Sequence, residues 1–319
     1  MTQDSEFDVV VVGGGPGGAS AAQYLIAEGL DVALIEERLI GGECHYWACN
    51  PTKSLLRNAE VVHLVTKEAD TFGLSGDVTA DYGKAFSRSR AVSQRMVNGI
   101  HYLMKKNKIT EIHGYGKFTD DHTIVVDLNE GDTETVTFDN AIIATGSYTK
   151  LLPGTSLSEN VVTYEEQILT RDLPGSILIV GAGAIGMEFG YVLKNYGVDV
   201  TIVEFLDRAL PNEDADVSAE LAKAYKKLGI KVLTGTAVQT VNVNADGTFN
   251  VTVPANTGSF SVKVDTVNDT VFEASENYTL SGAGTSSTVI GTATITDNDS
   301  APKVATRSEE HTSELQSHL

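Results

Sequence analysis

Near the N-terminus the apolar positions fall into two short runs with a helical stretch between them. Phe7 to Val12 is a β-branched run ending in a glycine cluster, Ala19 to Glu28 has helical composition, and Val32 to Glu36 (VALIE) reads as a second strand. Strand, helix and strand within about thirty residues make a βαβ unit. A helix is predicted around Lys53 to Val65 and another over Gly83 to Lys106, where Val92, Met96, Ile100, Leu103 and Met104 recur at helical spacing. Thr123 to Leu128 and Thr135 to Phe138 are strand-like and precede a strand over Asn140 to Ala144. At Ile177 the opening pattern returns: strand to Val180, glycine loop, helix over Ile185 to Tyr196, strand over Asp199 to Glu204. Ala215 to Leu228 is then helical and Lys231 to Leu233 extended. The repeat predicts an α/β fold with two Rossmann-like units, each a parallel sheet with helices on its faces.

Beyond about Asn242 the helical signals stop. Thr, Val, Ser, Asn and Gly dominate, FSVKV and GTATIT alternate with period two, and Lys263 is the only base between Asn242 and Pro302. Short strands between Asn, Asp and Gly turns predict a partial all-β sandwich. Arg307 to Leu319 is polar and has no core face.

Length and charge narrow the classes. A chain of 319 residues holds two domains with sizeable cores. With 43 acids against 23 bases the formal net charge is −20, which repels phosphate backbones and anionic membranes, so neither nucleic acid nor membrane is expected as a partner. No apolar run approaches the ~20 residues of a bilayer span. The start, MTQDSEFDVVVVGGG, lacks a basic leader, and a cytoplasmic location is expected.

The candidate chemistry begins with two glycine loops. Gly13, Gly15 and Gly18 satisfy G-x-G-x-x-G, and so do Gly181, Gly183 and Gly186, each between a strand and a helix. The first glycine permits the turn, the second lets a pyrophosphate approach, the third lets helix and strand pack, and the helix N-terminus stabilises the phosphate charge. One such match is weak. Here Glu36 and Glu204 each follow their first glycine by 23 residues, where a carboxylate accepts hydrogen bonds from an adenosine ribose. Two incidental turns would not place strand, loop, helix and acid together twice. A carboxylate at 204 repels a 2′-phosphate and favours NAD over NADP, with Arg208 nearby as the counter-indication.

Cys44 and Cys49, the only cysteines, lie in GGECHYWACNPTK. Such a pair in a reducing compartment points to catalysis or a partial metal site. If the cysteines begin a helix, its N-terminus favours thiolate, as a dithiol in exchange requires. Buried packing thiols, a structural bridge, and zinc held by Cys44, His45 and Cys49 are the competing readings. The zinc reading lacks a second Cys or His cluster, and no metal is expected. Tyr46 and Trp47 read as core aromatics.

From Phe7 to about Val241 the order of parts resembles the class I pyridine nucleotide-disulfide oxidoreductases, and within them the dihydrolipoyl dehydrogenase branch. The carrying motifs are the first glycine loop, Glu36, the GG-x-C-x4-C-x-P-[ST]-K run, Ala144-Thr145-Gly146, GAGAIGMEFG and VEFLDRALP. The resemblance implies that Gly13, Gly15, Gly18, Glu36, Gly42, Gly114, Gly116, Ala144, Thr145 and Gly146 hold FAD, and that Gly181, Gly183, Gly186 and Glu204 hold NAD(H). It implies Cys49 as the thiol facing the flavin, Cys44 as the interchange thiol, and Lys53 paired with Glu188 beside the flavin. Electrons then pass between nicotinamide, flavin, disulfide and a small-molecule or protein-bound dithiol. The residues between the cysteines, His45-Tyr46-Trp47-Ala48, depart from the family's usual Asn-Val-Gly type, so lipoamide is not singled out among disulfide substrates. Mercuric and mycothione reductases share the frame.

The family's second FAD segment, with its Gly-Asp pair, has no counterpart here. Neither does the dimerisation domain whose His-Glu pair serves the partner's site in the family's homodimers. No histidine is followed five residues later by a glutamate in a suitable setting. The expectation is a truncated, inactive chain with an FAD unit over 1–155, an NAD unit over 156–245, a sandwich piece over 246–302 and a tail over 303–319. Thr248 to Asp299 resembles the latter part of a Calx-beta domain, with Asp269, Glu273, Glu276, Asp297 and Asp299 as oxygen donors of the type calcium takes. RSEEHTSELQSH, from Arg307, matches an in-frame translation of a sequencing adapter. A calcium-binding surface fragment and a non-functional chimera joined within Asn242 to Pro254 are therefore the alternatives to the enzyme.

Overall fold

Val9 to Val12 and Val32 to Ile35 are buried at every position, which is the pattern of strands covered on both faces. The computed structural model describes residues 3–238, 240–243, 249–252, 276–283 and 288–295. The chain divides into two compact units, Met1–Val253 and Pro254–Leu319. In the first, β1 (Gln3–Val12), α1 (Pro16–Ala27) and β2 (Val32–Glu36) form the opening βαβ motif with parallel pairing. There follow α2 (Gly42–Tyr46), α3 (Cys49–Lys67), α4 (Tyr82–Lys106), β3 (Thr110–Asp120), β4 (Thr123–Leu128) and β5 (Thr133–Ile143).

These five strands close into a barrel in the order β1-β2-β3-β4-β5, because the two long strands each have two partners. The first part of β3 pairs with β2, its remainder with β4, and β5 pairs with both β4 and β1. The fold is mixed α/β with a parallel core, as expected, but helices cover only one face of β1 and β2. There Val11, Val32 and Leu34 pack with Ala19, Ala22, Ile100 and Met104. The opposite face is the barrel interior, filled by Val10, Ile35, Ile112, Ile124, Val126, Val136 and Phe138. The sequence reading omits β3, whose two glycines break its apolar alternation, and it splits β5.

The second motif is β6 (Ser176–Val180), α6 (Ala184–Asn195), β7 (Asp199–Val203), α7 (Ala215–Leu228) and β8 (Lys231–Leu233), parallel in the order β6-β7-β8. A short α5 (Tyr164–Ile168) precedes it, started by a capping box between Thr163 and Glu166. One apolar cluster joins Trp47, Leu55, Ala59 and Tyr82 to Met187, Val192 and Leu193, so α3 and α4 share a core with α6. On α4 the buried stripe runs Ser89, Ser93, Val97, Ile100 and Met104. Met96 is 40% exposed, a correction to the predicted stripe.

β9 (Thr240–Val243) and β10 (Phe249–Thr252) pair antiparallel. In the second unit β11 (Glu276–Ala283) and β12 (Thr288–Ile295) pair antiparallel, from Glu276 with Ile295 to Ala283 with Thr288. The candidate calcium-ligating side chains, the rest of the sandwich and the tail lie outside the described residues. Among the described residues no helix is long and apolar enough to cross a membrane.

Candidate functional site

The two glycine turns are built alike. Gly13 and Gly181 have φ of +107° and +106°, a region that L side chains rarely enter. Their amides donate to Ile35 O and Val203 O, each at 2.8 Å. Each turn is then locked by the acid at the end of its second strand. Glu36 accepts from the Gly14 and Arg38 amides, both at 2.7 Å. Glu204 accepts from the Ala182 amide at 2.7 Å and the Leu206 amide at 2.9 Å. A carboxylate has about four acceptor sites, so both acids keep capacity for ribose hydroxyls while fixing the loop.

The remaining glycines divide by cause. A Cβ on Gly18 would lie 1.9 Å from Gly13 O, and one on Gly186 2.1 Å from Gly181 O, so backbone packing dictates both. Gly15 and Gly183 are extended, at φ −66° and −72°, conformations open to any residue. A Cβ on either would meet nothing within 4 Å. Neither strain nor packing explains glycine at these two N-caps, and the 12-residue helices α1 and α6 have no side-chain cap there, which leaves their first-turn amides, apart from Pro16 with no N–H, without an intrahelical partner. A pyrophosphate against the backbone accounts for all of it, so the residues fit dinucleotides at both turns.

The first turn is enclosed by its neighbours. A Cβ on Gly13 would lie 2.2 Å from Ala144 O, and one on Gly42 2.8 Å from Gly15 Cα. The Ala144 amide donates to Val12 O at 2.8 Å, which brings Ala144 and Thr145 over the turn. Gly146, with φ +81°, has open space at its Cβ position. Gly114 and Gly116 lie inside β3 rather than in a loop. A Cβ on Gly114 would strike Asp127 O at 2.4 Å, so strand pairing alone requires that glycine.

Cys44 sits in α2 and Cys49 opens α3. Only Cys49 starts a long helix, a correction to the expectation that both cysteines share one N-terminus. Both are free thiols, Cys44 half-buried and Cys49 exposed. Burial, followed by the side-chain hydrogen bond to neighbouring Cys49 and the Cys49 charge, pushes the Cys44 thiol up to about 11, with the Cys49 backbone amide and then Lys53 acting in the opposite direction. Thiolate is thus disfavoured at Cys44, again against expectation. One turn along α3, the Lys53 ammonium meets Glu188 of α6 at 2.5 Å, so the two glycine-loop units are tied beside the cysteines.

Several partners were not legible in the sequence. Arg38 lies with its guanidinium carbon 3.9 Å from the Trp47 ring centroid and pairs with Glu165 at 3.2 Å. Arg90 of α4 donates to Tyr46 O at 2.8 Å. Arg208 donates to Pro211 O and Glu213 O, which draws its Nη2 into its own loop. His63 and Glu68 have the five-residue spacing and meet at 3.3 Å. They lie about four turns beyond Cys49, about 20 Å along α3, too far to serve the sulfurs. Among the described residues no group of three or more His, Cys, Asp or Glu side chains could hold a metal ion.

The family model of pyridine nucleotide-disulphide oxidoreductases matches residues 7–277, past the junction expected within Asn242 to Pro254. Dihydrolipoyl dehydrogenase of Mycobacterium tuberculosis H37Rv is 65% identical over 249 residues, which cover 78% of this chain and 53% of that protein. The Corynebacterium glutamicum dihydrolipoyl dehydrogenase is 55% identical over 240 residues, 75% of this chain and 51% of its own length. Among solved structures, the HOCl-induced flavoprotein disulfide reductase RclA from Escherichia coli superposes with a TM-score of 0.65 at 26% identity, over 77% of this chain and 52% of that one. LpdA from Mycobacterium tuberculosis has a TM-score of 0.69 at 23% identity, over 77% of this chain and 56% of that chain, a likeness of fold. The chain spans about half the length of the curated relatives it matches.

Proposed function

Since the chain belongs to the pyridine nucleotide-disulphide oxidoreductase family, we propose that its first unit is the two-cofactor portion of an FAD- and NAD-dependent disulfide oxidoreductase of the dihydrolipoyl dehydrogenase type. One observation carries the reading: two dinucleotide cradles flank a free dithiol, and the Lys53–Glu188 pair ties them together at that point. The enclosed turn at Gly13, with Glu36, Gly42 and Ala144 to Gly146, suits a resident FAD. The open turn at Gly181, with Glu204, suits an exchanging NAD(H). FAD, when bound, supplies the two-electron exchange between nicotinamide and disulfide.

The chain's own residues do the rest. Gly15 and Gly183 leave the backbone bare for pyrophosphate, and the first-turn amides of α1 after Pro16 and of α6 donate to it. Glu36 and Glu204 hold the turns and accept from ribose. The exposed Cys49, at the start of α3, is the thiol a flat ring would cover, and Lys53 places a cation one turn away. Cys44 is the interchange thiol; its proton is held at neutral pH and must leave as a substrate disulfide is engaged. Gly114 and Gly116 serve the barrel wall first and the flavin side second. The substrate class is a small-molecule or protein-bound disulfide, in the cytoplasm. The domain limits 1–155 and 156–245 belong to the same reading. The Calx-beta-like piece, the adapter-like tail and homodimer pairing stand beside it as separate expectations.

The purified full chain, incubated with FAD and desalted, is expected to retain flavin absorbance. It is also expected to reduce a small disulfide with NADH, in a manner abolished by Cys49→Ser. Complete loss of flavin on desalting, together with disulfide reduction that survives loss of both cysteines, would sink the reading.

A further inference from the structure

The segment between the two cysteines is held from both sides by arginines that the proposed chemistry does not use. α2 ends at Tyr46 and α3 begins at Cys49, so the helical path breaks at Trp47 and Ala48, with φ and ψ of −113° and −22° and of −123° and −93°. The backbone at this break sets where the two cysteine Cβ atoms stand relative to one another, and so how well they meet the spacing a disulfide demands. Trp47 is 7% exposed and packs in the core cluster of α3 and α6. It also contacts Arg38, whose guanidinium carbon is 3.9 Å from the ring centroid. Arg38 is itself fixed at two further points. Its amide donates to Glu36 at 2.7 Å, and its side chain donates twice to Glu165, at 3.2 and 3.3 Å.

Arg90 closes the other side. It donates from Nη1 to Tyr46 O at 2.8 Å and lies 5.6 Å from the Tyr46 ring centroid. Its Nε and Nη2 are buried with no hydrogen-bond partner. Buried donors left unpaired are costly, and burial lowers the guanidinium pKa. A merely solvated arginine would turn those groups to water. The Tyr46 and Trp47 rings meet edge to face at 4.7 Å, so the two cations grip one aromatic unit.

We propose that Arg38 and Arg90 are positioning residues that clamp the Tyr46–Trp47 dipeptide and thereby set the dithiol–disulfide equilibrium of Cys44 and Cys49. The inference deepens the dithiol reading above and rests on it. The step is thiol–disulfide exchange with a small disulfide RSSR. One cysteine thiolate attacks a sulfur of RSSR and RS⁻ leaves. The second thiolate then attacks the mixed disulfide and a second RS⁻ leaves. The two cysteine protons pass to the two RS⁻ groups, so the dithiol is oxidised and RSSR reduced to two RSH. Loosening the clamp changes how easily the break adopts the geometry a disulfide demands.

Trp47 is the only tryptophan in the chain, so its emission reports directly on the loop between the sulfurs. The full chain is equilibrated in buffers of reduced and oxidised dithiothreitol, and the fraction of disulfide is read by thiol alkylation and, where Trp47 is present, by fluorescence. Arg38→Lys keeps the charge and loses the planar stack. Arg90→Lys keeps the charge and loses the fork. Each is expected to shift the equilibrium constant about threefold to tenfold while the chain stays folded by circular dichroism. In a Trp47→Phe background the Arg38→Lys shift is expected to shrink below about twofold, a coupling that a general stability defect would not show. If Arg90→Lys does not fold, the Arg38 and Trp47 cycle decides alone. Unshifted equilibria in folded variants, or an Arg38→Lys effect undiminished by Trp47→Phe, overturn the clamp. A parent chain that forms no Cys44–Cys49 disulfide in any buffer overturns the dithiol reading and the clamp with it.

Discussion

The turn after β1 and the turn after β6 share their backbone geometry and their acid lock and differ in what surrounds them. Both have a first glycine near φ +106°, a carboxylate bonded to the next amide at 2.7 Å, and a third glycine pressed on the first one's carbonyl. Around the first turn, Ala144 O stands 2.2 Å from where a Gly13 Cβ would be, and Ile40 Cδ1 2.9 Å from a Gly14 Cβ. Around the second, a Gly181 Cβ would meet nothing within 4 Å, and the position matching Gly14 is already Ala182, fully buried. The same cradle is therefore a walled seat in one unit and an open one in the other. The local motif sets what can be bound. The barrel strands and α2 set how enclosed it is.

The sharpest way to break this comparison is a matched pair of alanines. Gly13→Ala adds a backbone clash to an unfavourable φ and is expected to cost about 3 kcal/mol in urea unfolding. Gly181→Ala pays only the conformational term, about 1 kcal/mol. Equal losses would show that enclosure does not distinguish the turns. Next in size is the thiol on the walled side. With Cys44 raised from 9.0 to about 11, its thiolate at pH 8 should be about a hundredfold scarcer than that of an ordinary thiol. Peptide-resolved iodoacetamide rates across pH 7 to 11 are expected to show alkylation of Cys44 climbing late. The folded state retains this proton longer than the unfolded chain. The group therefore contributes its stability below about pH 9, and that contribution is lost as pH rises towards about 11. Cys49→Ser removes the neighbouring thiolate charge, one of the causes that raise it, and should bring the climb to lower pH.

A third comparison sets the two acids against each other. Glu204 is 8% exposed and Glu36 only partly buried, so Glu204→Gln is expected to cost about 2 kcal/mol in thermal unfolding and Glu36→Gln about 1. A reversed order would mean that enclosure, not burial of the acid, governs the lock. The smallest effect belongs to Lys53→Met. The ammonium side chain is 61% exposed, and loss of its pair with Glu188 should change the melting free energy by about 0.5 kcal/mol or less. A larger change would mean that the pair stabilises the fold beyond what an exposed ion pair supplies.

Composition and periodicity were enough to give both βαβ motifs, because a strand, a glycine turn and an amphipathic helix are coded within about thirty residues. The bounds predicted for β2, α7 and β8 are those observed. The acids 36 and 204 were legible for the same reason, since each locks a turn built by neighbours in its own motif. β3 was hidden because its glycines answer to Asp127 and Ile124 on the paired strand β4, and their lack of side chains interrupts its apolar alternation. Met96 lost its place in the core because helix α4 is rotated by what it packs against.

Two glycine turns locked by acids and a neighbouring cysteine pair could be read from residue order alone, since short-range backbone geometry and residue type suffice for those. Only the tertiary structure decided that one turn is walled by Ala144 and the other open, that Cys44 holds its proton, and that Arg38 and Arg90 grip Tyr46 and Trp47. Burial, clash and stacking depend on groups distant in the chain, and their positions are fixed only when the strands close and the helices pack.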